Sequence, residues 1–111
     1  MTYEVRLLRR AKKDLDESYN WAANHASRTA ALWLIRFERA ISTLESHPQR
    51  CAIALESKIL KREFRELHFG RRPNVFRVVF TIEGSLVRIF RIRRASRRRL
   101  TRHDLFDPNE N

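Results

Sequence analysis

The run Val75-Phe76-Arg77-Val78-Val79-Phe80-Thr81-Ile82, followed by Glu83-Gly84-Ser85 and then Leu86 to Ile92, constrains this chain most. Its β-branched and aromatic residues suit a pleated surface, with Phe76, Val78, Phe80 and Ile82 on one face. The three residues between the runs supply a turn, so the segment predicts an antiparallel hairpin with one apolar face that must be covered. At 111 residues, 42% of them hydrophobic, the chain has room for a single compact domain and no second one.

The cover is written upstream. From Ala11 the apolar residues Ala11, Leu15, Tyr19, Ala22 and Ala26 recur every three or four positions, while Lys12, Lys13, Asp16, Glu17 and Asn20 fill the other side, which predicts an amphipathic helix. Ser27 then stands where an N-cap belongs, and a second helix with the stripe Ala30, Trp33, Leu34, Phe37, Ile41 and Leu44 is expected to run to about His47, where Pro48 stops it. So tight a connection predicts an antiparallel helical hairpin, with Trp21 and Trp33 between the helices.

Tyr3-Glu4-Val5-Arg6-Leu7 alternates apolar and charged residues and reads as a short first strand. Residues 49–62 show no clean period and are expected to be a loop with one helical turn. Phe64 to His68 alternates again before a turn at Gly70 to Pro73. The expected fold is therefore α+β, in the order β-α-α-β-β-β, with a small antiparallel sheet packed against an antiparallel two-helix hairpin. Residues 1–103 form the expected domain and 104–111 a polar C-terminal tail, and at their junction His103 and Asp104 are expected to be solvated.

Charge divides the chain unevenly. Residues 1–50 hold nine Lys/Arg against six Asp/Glu, and residues 51–111 hold fifteen against seven, within a total of +11. The excess peaks at Arg91, Arg93, Arg94, Arg97, Arg98, Arg99 and Arg102. Because a guanidinium holds phosphate or carboxylate through two parallel hydrogen bonds, this crowd is expected to grip an anionic partner. Arg65, Arg91, Arg93 and Arg94 are the candidate anion-binding or partner-binding residues, with Lys58 and Lys61 in the preceding loop.

The lone cysteine, Cys51, rules out an internal disulfide framework and is expected to be a small buried residue. No Cys/His group has zinc-site spacing, so neither metal nor cofactor is expected. The charged N-terminus does not read as a signal peptide, and no apolar run approaches the roughly 20 residues of a membrane span. The expectation is a cytoplasmic protein without a membrane partner.

Taken in order, Ala11-Lys12-Lys13-Asp14-Leu15, Thr29-Ala30-Ala31 through Ile41-Ser42-Thr43-Leu44 to Pro48, Arg65-Glu66-Leu67, Phe76-Arg77-Val78-Val79-Phe80 and the closing Ile92-Arg93-Arg94-Ala95-Ser96-Arg97-Arg98 resemble the RelE/ParE superfamily of bacterial toxin–antitoxin toxins. The resemblance covers nearly the whole chain and implies the same fold. It also implies a cognate antitoxin, whose acidic, amphipathic segment would lie against the sheet's outer face and edge, and a toxin–antitoxin hetero-oligomer or a homodimer. Two activities are open under it: inhibition of DNA gyrase, as in ParE-like members, or ribosome-dependent cleavage of mRNA, as in RelE-like members. A third alternative is a non-toxic basic module that binds nucleic acid.

For the nuclease alternative the resemblance carries over Arg77, on the third strand, and Arg97 or Arg98, after the last strand, as the clamp on the scissile phosphate. Lys58 and Lys61 match its basic loop residues. Two positions depart from that pattern: Arg94 stands where many relatives have histidine, and no tyrosine follows the final basic run. An arginine is a poor proton shuttle near neutrality, so both departures favour the gyrase alternative.

Overall fold

A computed structural model describes residues 2–108. A strand β1 (Glu4–Leu7) leads into helices α1 (Arg9–His25) and α2 (Ala30–Ser42). There follow a two-residue strand β2 (Ala52–Ile53), a short helix α3 (Glu56–Leu60), the strands β3 (Arg65–Arg71), β4 (Asn74–Glu83) and β5 (Leu86–Arg94), and a final turn of helix α4 (Arg102–Leu105). No described helix is long and apolar enough to cross a membrane.

The five strands lie in the order β1-β5-β4-β3-β2. The α+β class and helical hairpin agree with the sequence reading, but the sheet is mixed: β1 pairs parallel with β5, from Glu4–Leu86 to Leu7–Ile89. Turn chemistry identifies hairpins and says nothing of where a strand lands after a long helical crossover, which is why this pairing was not expected. The other pairings are antiparallel. In the stretch expected to be a loop, α3 is the anticipated helical turn, and β2 is an addition too short to leave a period.

The turn between the helices also differs from expectation. Thr29, not Ser27, precedes α2, and its hydroxyl bonds back to Ala26 O rather than capping. Residues 27–29 are consumed in reversing the chain, so α2 begins later than Ser27 suggests. Its stripe continues through a 3-10 turn at Thr43–Glu45 that buries Leu44, and Pro48 opens another such turn.

Leu67, Phe69, Phe76, Val78, Phe80, Val87, Ile89 and Ile92 face the helices, where they pack with Ala11, Phe37, Ile41 and Leu44. Trp33 meets Phe76 edge-on at 5.4 Å, and Phe37 stacks on Phe69 at 4.5 Å. Trp21 likewise meets Phe76, so the two tryptophans pack onto the sheet rather than merely between the helices.

A bulge lets Val79 oppose Arg91 and Phe80 oppose Ile89, which leaves Phe90 as the extra residue. Phe90 joins a second apolar cluster with Leu8, Ala54, Leu60, Phe64 and Val79. The C-terminal arm closes this cluster with Leu100 and Leu105, each 3% exposed. In α4, Thr101 and Asp104 form a reciprocal capping box. The expected boundary after residue 103 falls inside α4: Asp104, Leu105 and Asp107 are buried and Phe106 packs against the cluster. A segment with few apolar residues docks because those few all face inward. Residues 109–111 of the expected tail lie outside the described residues.

Candidate functional site

Arg77 and Arg91 carry their charge inside the fold. Arg77 is 3% exposed, on the face of β4 opposite Phe76 and Val78. Its Nη1 and Nη2 donate to the two oxygens of Glu56 at 2.9 and 2.8 Å, and its Nε donates to Glu66 Oε2 at 3.1 Å. Glu56, fully buried in the first turn of α3, also accepts from the Leu100 amide at 3.0 Å. Burial pushes the Glu56 carboxyl up, but the hydrogen bonds from Arg77 and Leu100 outweigh it and hold the group at about 2. Burial likewise works against the Arg77 charge, and the hydrogen bonds to Glu56 and Glu66 raise its pKa nonetheless. The phosphate clamp expected of Arg77 needs its donors free, and here they are aimed at two carboxylates.

Arg91 is held from the other side. Asp14 of α1 accepts from Arg91 Nε at 2.6 Å and Nη2 at 3.0 Å, and from the Ile92 amide at 2.9 Å. That amide lies beyond the last residue of β5 paired with β1, so Asp14 takes over the sheet edge where β1 stops. The hydrogen bonds to Asp14 raise the Arg91 pKa despite burial.

Arg65 donates to the carbonyls of Gln49 and Cys51 at 2.9 and 2.8 Å, tying the loop after α2 to β3. Cys51 is buried there, and burial pushes its thiol up. Lys58 and Lys61 are exposed on and just after α3. Arg98 reaches Asp104 at 2.8 Å, and that hydrogen bond, ahead of the opposing burial, holds the Asp104 carboxyl well below the usual carboxylate range. Asp104 is thus a buried partner rather than a solvated tail residue, whereas His103 is exposed.

The remaining arginines converge. Arg91, Arg93, Arg94 and Arg97 line one cavity of about 180 Å³ between the end of β5 and α1. Asp14, Glu17 and Ser18 form its α1 side, and Trp21 and Phe76 its apolar wall. Arg94 lies over the Trp21 ring at 4.9 Å and donates to Asn74 at 3.1 Å. The sequence reading named these arginines within one basic run, and the α1 residues beside them were not among its candidates. Ser18 and Asp14 are buried with Ala11 and Ala22, so the buried stripe of α1 is rotated from the expected one and Ala26 is exposed. The available signal was Asp14, three residues after an inward-facing alanine in a chain overloaded with arginine.

The model of the family described as ParE toxin of type II toxin-antitoxin system, parDE, matches residues 5–99. Among solved structures, a chain of the chromosomal ParDE TA system from P. aeruginosa shares the fold, with a TM-score of 0.67. It is 22% identical over 84% of this chain and 96% of that one. No curated protein matches.

Proposed function

Because the chain belongs to the family of ParE toxins, and so is the toxin of a type II toxin–antitoxin module with a cognate antitoxin as partner, we propose that it inhibits DNA gyrase by binding and not by catalysis. Cleaving RNA by attack of its 2′-hydroxyl calls for a general base, a general acid and cations free to meet the charge growing on phosphorus. The observation that carries our reading is the enclosure of Arg77 between Glu56 and Glu66. A phosphate could take Arg77 only by leaving Glu56 buried and unpaired, which is strongly unfavourable. Arg97 and Arg98 remain near the surface, but neither can shuttle a proton near neutrality.

The antitoxin segment that suits this chain is acidic and apolar: it meets a net charge of +11 and the exposed Ile53, Leu55 and Ile59, which flank Lys58 and Lys61. We place the toxin in the cytoplasm, in a hetero-oligomer with the antitoxin, and read residues 2–108 as one toxin domain.

The decisive assay is gyrase supercoiling of relaxed plasmid with excess purified protein. Inhibition relieved by the antitoxin is expected. Unchanged supercoiling, together with transcript cleavage in a translating extract that Arg97→Ala abolishes, would replace this reading with the nuclease one.

A further inference from the structure

The end of the sheet where β3 turns into β4 and β5 runs out carries arginines that no carboxylate of the fold pairs with. We propose that this end is a docking surface for the phosphate backbone of duplex DNA, with Arg71, Arg72, Arg94 and Arg97 as its contacts. The inference adds to the gyrase reading and is measured on the chain alone, so the two can fail separately.

Strand register brings the four together. Arg71 lies opposite Asn74 across the β3–β4 hairpin, and cross-strand partners share a face of the sheet. Arg94, on β5 opposite Phe76, donates to Asn74 at 3.1 Å, which joins the hairpin to the end of β5. Arg97, in the turn after β5, lines the same cavity as Arg94 and Trp21. Arg94 is held over the Trp21 ring at 4.9 Å, and that ring stacks on His25 at 4.3 Å. Arg72 stands at the hairpin tip, and it is exposed along with Arg71 and Arg97.

Charge is left open here and closed elsewhere. Among the described residues none of these four arginines forms an ion pair. At the opposite end of the sheet Glu83 takes both Arg62 and Arg88, and Glu4 takes Arg6. Of the two acids that line the cavity, Asp14 is bonded to Arg91, and only Glu17 remains beside Arg94 and Arg97. Guanidiniums gathered in this way repel one another until a polyanion lies across them.

Two observations select the backbone of a duplex. The exposed large hydrophobics are Leu32, Ile35, Ile53, Leu55 and Ile59, none of them on the hairpin tip or after β5, whereas a protein partner calls for an apolar centre to its interface. None of the five is aromatic, so the bases of a single strand find no exposed ring to stack on. Ile53 pairs opposite Arg65, at the far end of β3, so the residues assigned to the antitoxin lie away from this surface. Arginines on phosphates position a protein without reading sequence, and sequence-independent binding is expected.

The test is fluorescence anisotropy of a short labelled duplex titrated with the full chain over a series of salt concentrations. Four phosphate contacts give a slope of about −3.6 in log affinity against log salt, a fall of about 150-fold between about 50 and 200 mM. Arg71→Gln with Arg72→Gln should halve the slope and shrink that fall to about 12-fold. Arg36→Gln with Arg39→Gln removes the same charge from exposed positions on α2 and should leave the slope unchanged. Arg97→Gln alone should take about 0.9 from the slope, and it keeps the test valid if the hairpin pair fails to fold. The proposal falls if the α2 pair lowers the slope as much as the hairpin pair, which would mean diffuse attraction to the whole chain. It falls equally if a single strand of the same length binds as tightly as the duplex. Displacement by poly-glutamate as effective as that by unlabelled duplex would overturn it in favour of an acidic protein.

Discussion

Replacing Arg77 by methionine tests whether this arginine holds the fold or performs chemistry. Methionine roughly keeps the length of the side chain and removes the charge, leaving Glu56 with no exposed surface and only backbone amides, that of Leu100 and its own, as donors. Breaking a buried pair from one side costs about 3–5 kcal/mol. An independent figure comes from the carboxylate: Glu56 is brought from an ordinary 4.5 to about 2, worth about 3 kcal/mol at about 1.4 kcal/mol per tenfold change in proton affinity. In a domain of this size such a loss lowers the melting temperature by about 12–20 °C.

The sign with pH follows from the same carboxyl. A group whose pKa is depressed in the folded state stabilises above its unfolded value, and that contribution disappears as pH falls through the folded value. Wild-type protein should therefore lose this increment between pH 4.5 and about 2, and Arg77→Met should lack it at every pH. Adding Glu56→Gln, whose amide oxygen still accepts from Leu100, should recover at least half the loss, since the two sites act as one pair. Calorimetry on the four proteins of the cycle gives the answer. A melting temperature for Arg77→Met within about 3 °C of wild type, against the shift expected from the buried pair, would refute the reasoning and return Arg77 to the role of a free cation.

Asp14→Asn should cost about 2–4 kcal/mol in urea denaturation, because Arg91 loses its buried counter-charge. Gly70→Ala should destabilise measurably on thermal melting: Gly70 sits at φ +104°, and a β-carbon there would lie 2.5 Å from Asn74 O in the β3–β4 hairpin. Leu105→Ala should cost about 2–5 kcal/mol, as for other buried leucines; a loss below about 0.5 kcal/mol, the level of an ordinary surface change, would show that the arm is dispensable.

Hydrophobic period carried most of the fold. The β4–β5 hairpin and the helix pair are each set by local pattern, and the structure contains both, although α2 ends at Ser42, ahead of the stop expected at Pro48. What the pattern does not encode is contact between segments distant in the chain. β1 reaches β5 across both helices, and Glu56 reaches Arg77 across 21 residues. Asp14 looked like an ordinary polar residue on a helix because its reason for facing inward, Arg91, lies 77 residues away. The burial of Asp104, Leu105 and Asp107 was not legible for a related reason: composition averages over a segment, whereas burial depends on which few residues face the core.

These long-range pairs also change what the basic run means. Read as composition, the arginines of the last strand and arm are one undifferentiated positive surface. In the fold they alternate in fate: Arg91 is neutralised by Asp14 and Arg98 by Asp104, while Arg93 and Arg94 keep buried donors unmade and Arg97 stands exposed beside them. Carboxylates were available nearby and were spent on Arg91 and Arg98, so the open charge is localised rather than spread. A surface selected only for solubility or diffuse attraction would gain nothing from arginines whose donors are shielded from water. Shielding those donors from water costs stability in the isolated chain.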